Sequence, residues 1–140
     1  MSGQQSTVRQ TLIIRNRPEH HEYWFREGCF VTELSNAPED EDLSVARIRV
    51  PPGGQTRWHR LSGTVERYVI LAGEGEVEMG DQPPTRVITH DVVIIPAACP
   101  QRIRNTGDQD LEFLALCTPR FRPEHYRELD EAHQPPGSSK

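Results

Sequence analysis

His59, Glu66 and Gln101 are the three side chains whose types suit one shared chemical task. Divalent transition metals accept imidazole nitrogen and carboxylate oxygen, and an amide oxygen is a weaker third donor, with waters completing the shell. The same three groups also suit a buried hydrogen-bond network, in which Gln101 donates to Glu66 and His59 fixes its tautomer against either. Both readings need the three side chains to converge.

Convergence is a matter of strands. In GGQTRWHRLSGTVERYVILAG, Glu66 follows His59 by seven residues across a hairpin, and side chains alternate between faces along each arm. If His59 points inward, Arg57 and Leu61 share its face, and Glu66 takes Tyr68 and Ile70 with it. Leu61, Ile70, Ile103 and Phe113 are then expected as apolar lining of a ligand site. Arg57 at its mouth suits a bidentate carboxylate or phosphate, the alternative being a local salt bridge. Glu66 and Tyr68 are the candidates for proton handling, although a tyrosine in this position also serves as packing. Cys117 reaches the site if its face is the inner one, yet a buried thiol is an inert hydrophobe unless an electropositive neighbour activates it. Trp58 and Arg60 alternate outward or into a second layer, and Trp24 is expected to pack over the core.

The elements that position these residues read as short strands: TLIIR, GCFVTEL, LSVARIRV, ERYVILAG, GEVEM, TRVITHDVVIIP, QRIRN and LEFLALC. Between them lie the turn formers AsnAlaPro, ProProGlyGly, GlyGluGly, GlyAspGlnProPro and AsnThrGlyAsp. The fold class is therefore all-β. A short C-terminal helix is expected from Pro123, with Tyr126 and Leu129 on its packing face. His90 sits in a turn, where a left-handed backbone suits it.

Two stretches resemble the cupin superfamily. Residues 53–73 match the first cupin motif, G-x5-H-x-H-x3,4-E-x6-G, at Gly53, His59, Glu66 and Gly73, with Leu61 in place of the second histidine. Residues 90–105 match the second, G-x5-P-x-G-x2-H-x3-N, at Pro96 and Asn105, with His90 and Ala98 for its glycines and Gln101 for its histidine. The resemblance implies a double-stranded β-helix, or jelly-roll, barrel that frequently forms homodimers. It also implies an iron, manganese, nickel or zinc ion on three histidines and one glutamate, of which His59 and Glu66 remain. One cupin domain over 10–132 is expected, with flexible segments at 1–9 and 133–140.

The chain has 140 residues and a formal net charge of −5, and it holds no block of Lys or Arg, which disfavours nucleic acid as a partner. It has no apolar run long enough for a membrane span and no secretory pattern at its start, so the sequence reads as cytoplasmic. The odd, scattered Cys29, Cys99 and Cys117 suit free thiols. His20, His21, His125 and His133 read as solvated.

Three functions follow. One is a metal-dependent enzyme of dioxygenase, isomerase or lyase type built on His59, Glu66 and Gln101. Another is a non-catalytic ligand-binding or sensor barrel without metal, holding a small molecule, an anionic one if Arg57 clasps it. The third is a dimeric adaptor with a filled barrel.

Overall fold

Alternation of apolar and polar residues stabilises a chain wherever two sheets can bury their facing sides, and the described residues of this chain do so with eleven strands. The computed structural model describes residues 12–15 and 21–129. The expected flexible ends, together with His20 and His133, lie outside the described residues.

The strands are β1 (Tyr23–Phe25), β2 (Cys29–Ser35), β3 (Ser44–Val50), β4 (His59–Leu61), β5 (Val65–Ala72) and β6 (Glu74–Met79). They continue as β7 (Thr85–Ile88), β8 (Val92–Ile95), β9 (Gln101–Asn105), β10 (Leu111–Thr118) and β11 (Tyr126–Glu128). One sheet has the order β1-β2-β3-β10-β5-β8 and the other β11-β4-β9-β6-β7, and every pairing is antiparallel. This is the jelly-roll barrel that the motifs imply. β10 shows the logic most clearly, since Leu111, Phe113, Ala115 and Cys117 are buried while the residues between them are half-exposed. The core between the sheets holds Val50, Ile70, Ile103, Leu111 and Phe113, none more than 1% exposed.

Among the described residues the expected C-terminal helix is only a 3-10 turn. Pro123–His125 makes one 3-10 turn, and the chain then runs as β11, pairing Tyr126 with Leu61, Arg127 with Arg60 and Glu128 with His59. Good helix formers lose here to the open edge of β4, whose backbone groups need partners. Trp24 also departs from expectation, whereas Trp58 takes one of its two expected placements. Trp24 is exposed, edge-on to Phe30, and Trp58 is buried under the Arg102 guanidinium.

The second motif is legible in its backbone. His90 and Ala98, which stand where the motif has glycine, both have positive φ, 77° and 66°. Pro96 begins the turn that carries Ala98, whose N–H donates to the Leu61 carbonyl at 2.7 Å. Asn105 donates to the carbonyls of Val50 and Gln109 and accepts from the Gly107 N–H, so it clamps the β9–β10 turn. A left-handed residue with a Cβ is strained by roughly 1–2 kcal/mol, part of which glycine returns as unfolded-state entropy. Ala98→Gly is therefore expected to raise stability by up to about 1 kcal/mol, read as a higher denaturant midpoint at unchanged slope.

Candidate functional site

The two sheets meet at a polar cluster inside the barrel. β4 and β9 of the second sheet bring His59 opposite Gln101, and β5 of the first brings Glu66 and Tyr68 across from them. All four are buried, with His59, Tyr68 and Gln101 at most 3% exposed. The Tyr68 hydroxyl donates to Gln101 Oε1 at 2.7 Å, and Gln101 Nε2 donates to Glu66 Oε1 at 2.6 Å. The Cys117 thiol, opposite Glu66 on β10, lies 3.9 Å from Glu66 Oε2. Burial and the nearby Glu66 hold the Cys117 thiol protonated, far above its ordinary range.

His59 is fixed by a residue that sequence reasoning missed. Its Nδ1 lies 2.7 Å from the Arg57 carbonyl, and its Nε2 lies 2.9 Å from Glu27 Oε2. A ring nitrogen facing a carbonyl carries a proton, and a carboxylate opposite the other nitrogen favours the doubly protonated ring. Burial alone would lower the His59 pKa, but the Glu27 charge and hydrogen bond, helped by Glu66, raise it to about 9. Glu27 arrives through the β1–β2 turn, which is tied to the site by the Arg57 N–H donating to the Glu27 carbonyl at 2.8 Å. Gly28 permits that approach. It has φ of 110°, and a Cβ there would stand 2.7 Å from the Gln55 carbonyl oxygen. Tyr126 of β11 stacks on the His59 ring, with centroids 5.3 Å apart and planes at 21°.

Glu66 has the opposite balance. Burial pushes its carboxyl up; His59 and the Gln101 N–H pull it down, Glu27 adds to the rise, and the outcome is about 7. Tyr68 is raised well above its ordinary range by burial and by Glu66, so it stays a hydrogen-bond donor.

A cavity of about 80 Å³ opens beside this cluster, floored by the buried Glu66, Ser44 and Cys117 and reaching the exposed Tyr23 and Glu33. Of the expected ligand-binding residues, Leu61, Ile70, Ile103 and Phe113 are packed into the interior rather than lining this space. Arg57 points away. Its side chain is 62% exposed, donating to the Arg26 carbonyl and pairing with Glu128. The alternation that would turn it inward fails because β4 begins only at His59, and residue 57 belongs to the segment pinned to the β1–β2 turn. Arg57→Ala should thus change stability by less than about 0.5 kcal/mol and leave ligand binding intact, checked by denaturation and titration.

A metal ion is the group that the motifs imply, and the donor set does not fit one. A ligating imidazole must be neutral with a lone pair directed at the ion, whereas His59 Nδ1 faces the Arg57 carbonyl and Nε2 faces the Glu27 carboxylate. Gln101 turns its N–H groups, not its oxygen, toward Glu66. Among the described residues no group of three or more His, Cys, Asp or Glu side chains is placed to hold an ion.

A family model described as "Cupin domain" matches residues 46–117, which contain both motifs and most of the inner cluster. The chain belongs to the cupin family.

Two curated relatives place this cupin further. It is 39% identical over 72 residues to an oxalate-binding protein of Thermotoga maritima, a match covering 51% of this chain and 58% of that protein. It is 30% identical over 104 residues to an uncharacterized protein of Methanocaldococcus jannaschii, covering 73% and 82%. Among solved structures, a predicted oxalate decarboxylase from Thermotoga maritima superposes with a TM-score of 0.66 at 28% identity, over 76% of this chain and 98% of that one. A cupin-2 domain from Rhodospirillum rubrum, at 20% identity and a TM-score of 0.69 over 89% and 85%, shares the fold. No helix among the described residues is long and apolar enough to cross a membrane.

Proposed function

We propose that this cupin is a small-molecule-binding barrel that works without a metal ion, as a ligand-binding or sensor module. The observation that carries the reading is the closed set of hydrogen bonds: Tyr68 to Gln101, Gln101 to Glu66, and His59 to Arg57 and Glu27. Such a set satisfies its polar atoms without an ion, and it stands against a cavity into which Glu66 faces. The metal-dependent dioxygenase, isomerase or lyase that the sequence allows would need the His59 nitrogen and the Gln101 oxygen free of these partners. The Thermotoga maritima relative is named for binding oxalate, an anion to which this cavity presents no Lys or Arg side chain among the described residues.

A second reading, metal-free proton transfer, is favoured by one observation. Glu66, with its pKa of about 7 and a place on the cavity floor, is suited to take or give a proton to a bound molecule. Tyr68 would serve as a positioning residue through Gln101. Val92 and Ile94, exposed apolar residues on the edge strand β8, support the homodimer as a reading. Light scattering that gives the monomer mass at micromolar concentration would exclude the dimer.

Thermal unfolding in the presence of small polar molecules tests the binding function. A ligand at a hundred times its Kd adds about 2.7 kcal/mol of stability. A midpoint that rises with ligand, and no longer does so in the cavity-filling Ala115→Val, supports the reading. A protein whose midpoint no ligand raises contradicts it.

A further inference from the structure

The cavity that the proposed function takes as the ligand site has a lining that selects charge. Glu27, Glu33 and Glu66 contribute carboxylates to it, and Tyr23, Phe25 and Phe121 contribute aromatic rings, with Val31, Ile48 and Ala115 among the apolar residues between. No Lys or Arg lines it among the described residues. Glu27 has a cationic partner in His59, but the hydrogen-bond partners of Glu66 are the neutral Gln101 amide and Cys117 thiol. The buried interior thus places two carboxylates around one imidazolium, and a buried carboxylate without its own counter-charge is costly. At the open end Tyr23 and Glu33 lie together, the tyrosine hydroxyl 3.5 Å from the carboxylate. The Arg120 guanidinium near that end is engaged by Asn36 and Glu41.

We infer that the ligand of this cavity is a small organic cation, a primary ammonium compound of a few heavy atoms, whose charged head meets Glu66 on the floor and whose alkyl part packs among Phe25, Val31, Ile48 and Ala115. The inference rests on the reading of this cavity as the ligand site, and it names the class of ligand. Three features support it. The head supplies Glu66 with a charged hydrogen-bond partner, where its present partners, Gln101 and Cys117, are neutral. Aromatic residues in the lining suit a cation, which is attracted to a ring face, and give an anion no such gain. The cavity volume of about 80 Å³ limits the ligand to a small molecule.

The test is an NMR titration of the full-length 15N-labelled protein with ethylammonium chloride, beside ethanol, sodium oxalate and manganese chloride as separate arms. Ethylammonium is expected to give saturable shifts at the amides of Ser44, Glu66 and Cys117, with ethanol and oxalate far weaker. In Glu66→Gln the ethylammonium Kd should rise about ten-fold or more. Ala115→Val, which fills the space and leaves every charge in place, should weaken all ligands alike and serves if Glu66→Gln fails to fold. Saturable binding of oxalate or ethanol at these amides, with ethylammonium inert, overturns the cationic class and leaves the cavity as a ligand site. Saturable one-to-one broadening by manganese at these amides overturns both the cationic class and the metal-free reading. Silence in every arm overturns the cavity as a site altogether.

Discussion

His59→Ala should lower the stability of this cupin by roughly 3–5 kcal/mol, the range expected when one partner of a buried ion pair is removed. The loss has a specific origin. His59 is 2% exposed, and its side chain is the cation that Glu27 meets at 2.9 Å. Without it the Glu27 carboxylate keeps no such partner, the Arg57 carbonyl loses its donor, and the Tyr126 ring loses the surface on which it stacks. Urea unfolding at neutral pH measures the loss. Glu27→Gln gives a milder comparison, because an amide can still accept from the ring while the imidazolium loses its counter-charge. If His59→Ala costs less than about 1 kcal/mol, the ion pair does not hold the site together.

The second large effect is on pH dependence. Glu66 and His59 both have folded-state pKa values above their ordinary ones, about 7 against 4.5 and about 9 against 6.5. A raised value means that the folded state binds the proton more tightly, so stability falls as pH rises through the window between the two values. Glu66 therefore withdraws stability between about pH 4.5 and 7, and His59 between about pH 6.5 and 9. A tenfold difference in proton affinity between folded and unfolded chain is worth about 1.4 kcal/mol, so each window amounts to the order of 3 kcal/mol. Surface carboxylates act in the other direction. Glu22 is held low by its hydrogen bond to Arg49 and Glu41 by its bond to Arg122, and both lose those partners in more acidic solution. The stability maximum should accordingly lie on the acid side of neutrality. Glu66→Gln should flatten the slope between about pH 4.5 and 7 and leave the fall toward pH 9 in place. A variant with the wild-type slope throughout would falsify the assignment of that window to Glu66.

Local periodicity sets what was legible in the sequence. His59, Glu66, Tyr68 and Ile70 are buried as strand alternation requires, and the two glycine positions of the second motif show their backbone in His90 and Ala98. Glu27 left no comparable signal. It reaches His59 across 32 residues of chain through a turn that pairs with no motif, and only Gly28, which tolerates the close approach to Gln55, marks the place. Arg57 departs from expectation because strand alternation does not extend two residues before the start of β4. The stretch from Pro123 has helix-forming residues and a helix-start proline, yet an unpaired strand edge outweighed propensity. The charge of the cavity escaped the sequence as well, since Glu27, Glu33 and Glu66 line one cavity only once β1 and β2 have joined β3, β10 and β5 in one sheet.

The metal content of the purified protein, never exposed to chelator and then offered manganese, iron, nickel and zinc in turn before gel filtration, tests the metal-free reading most directly. If the inner cluster is a hydrogen-bonded set around the His59–Glu27 pair, none of these ions is retained at a stoichiometric level. About one ion retained per chain would contradict it, because the same nitrogen and oxygens would then have to bind the ion instead of one another.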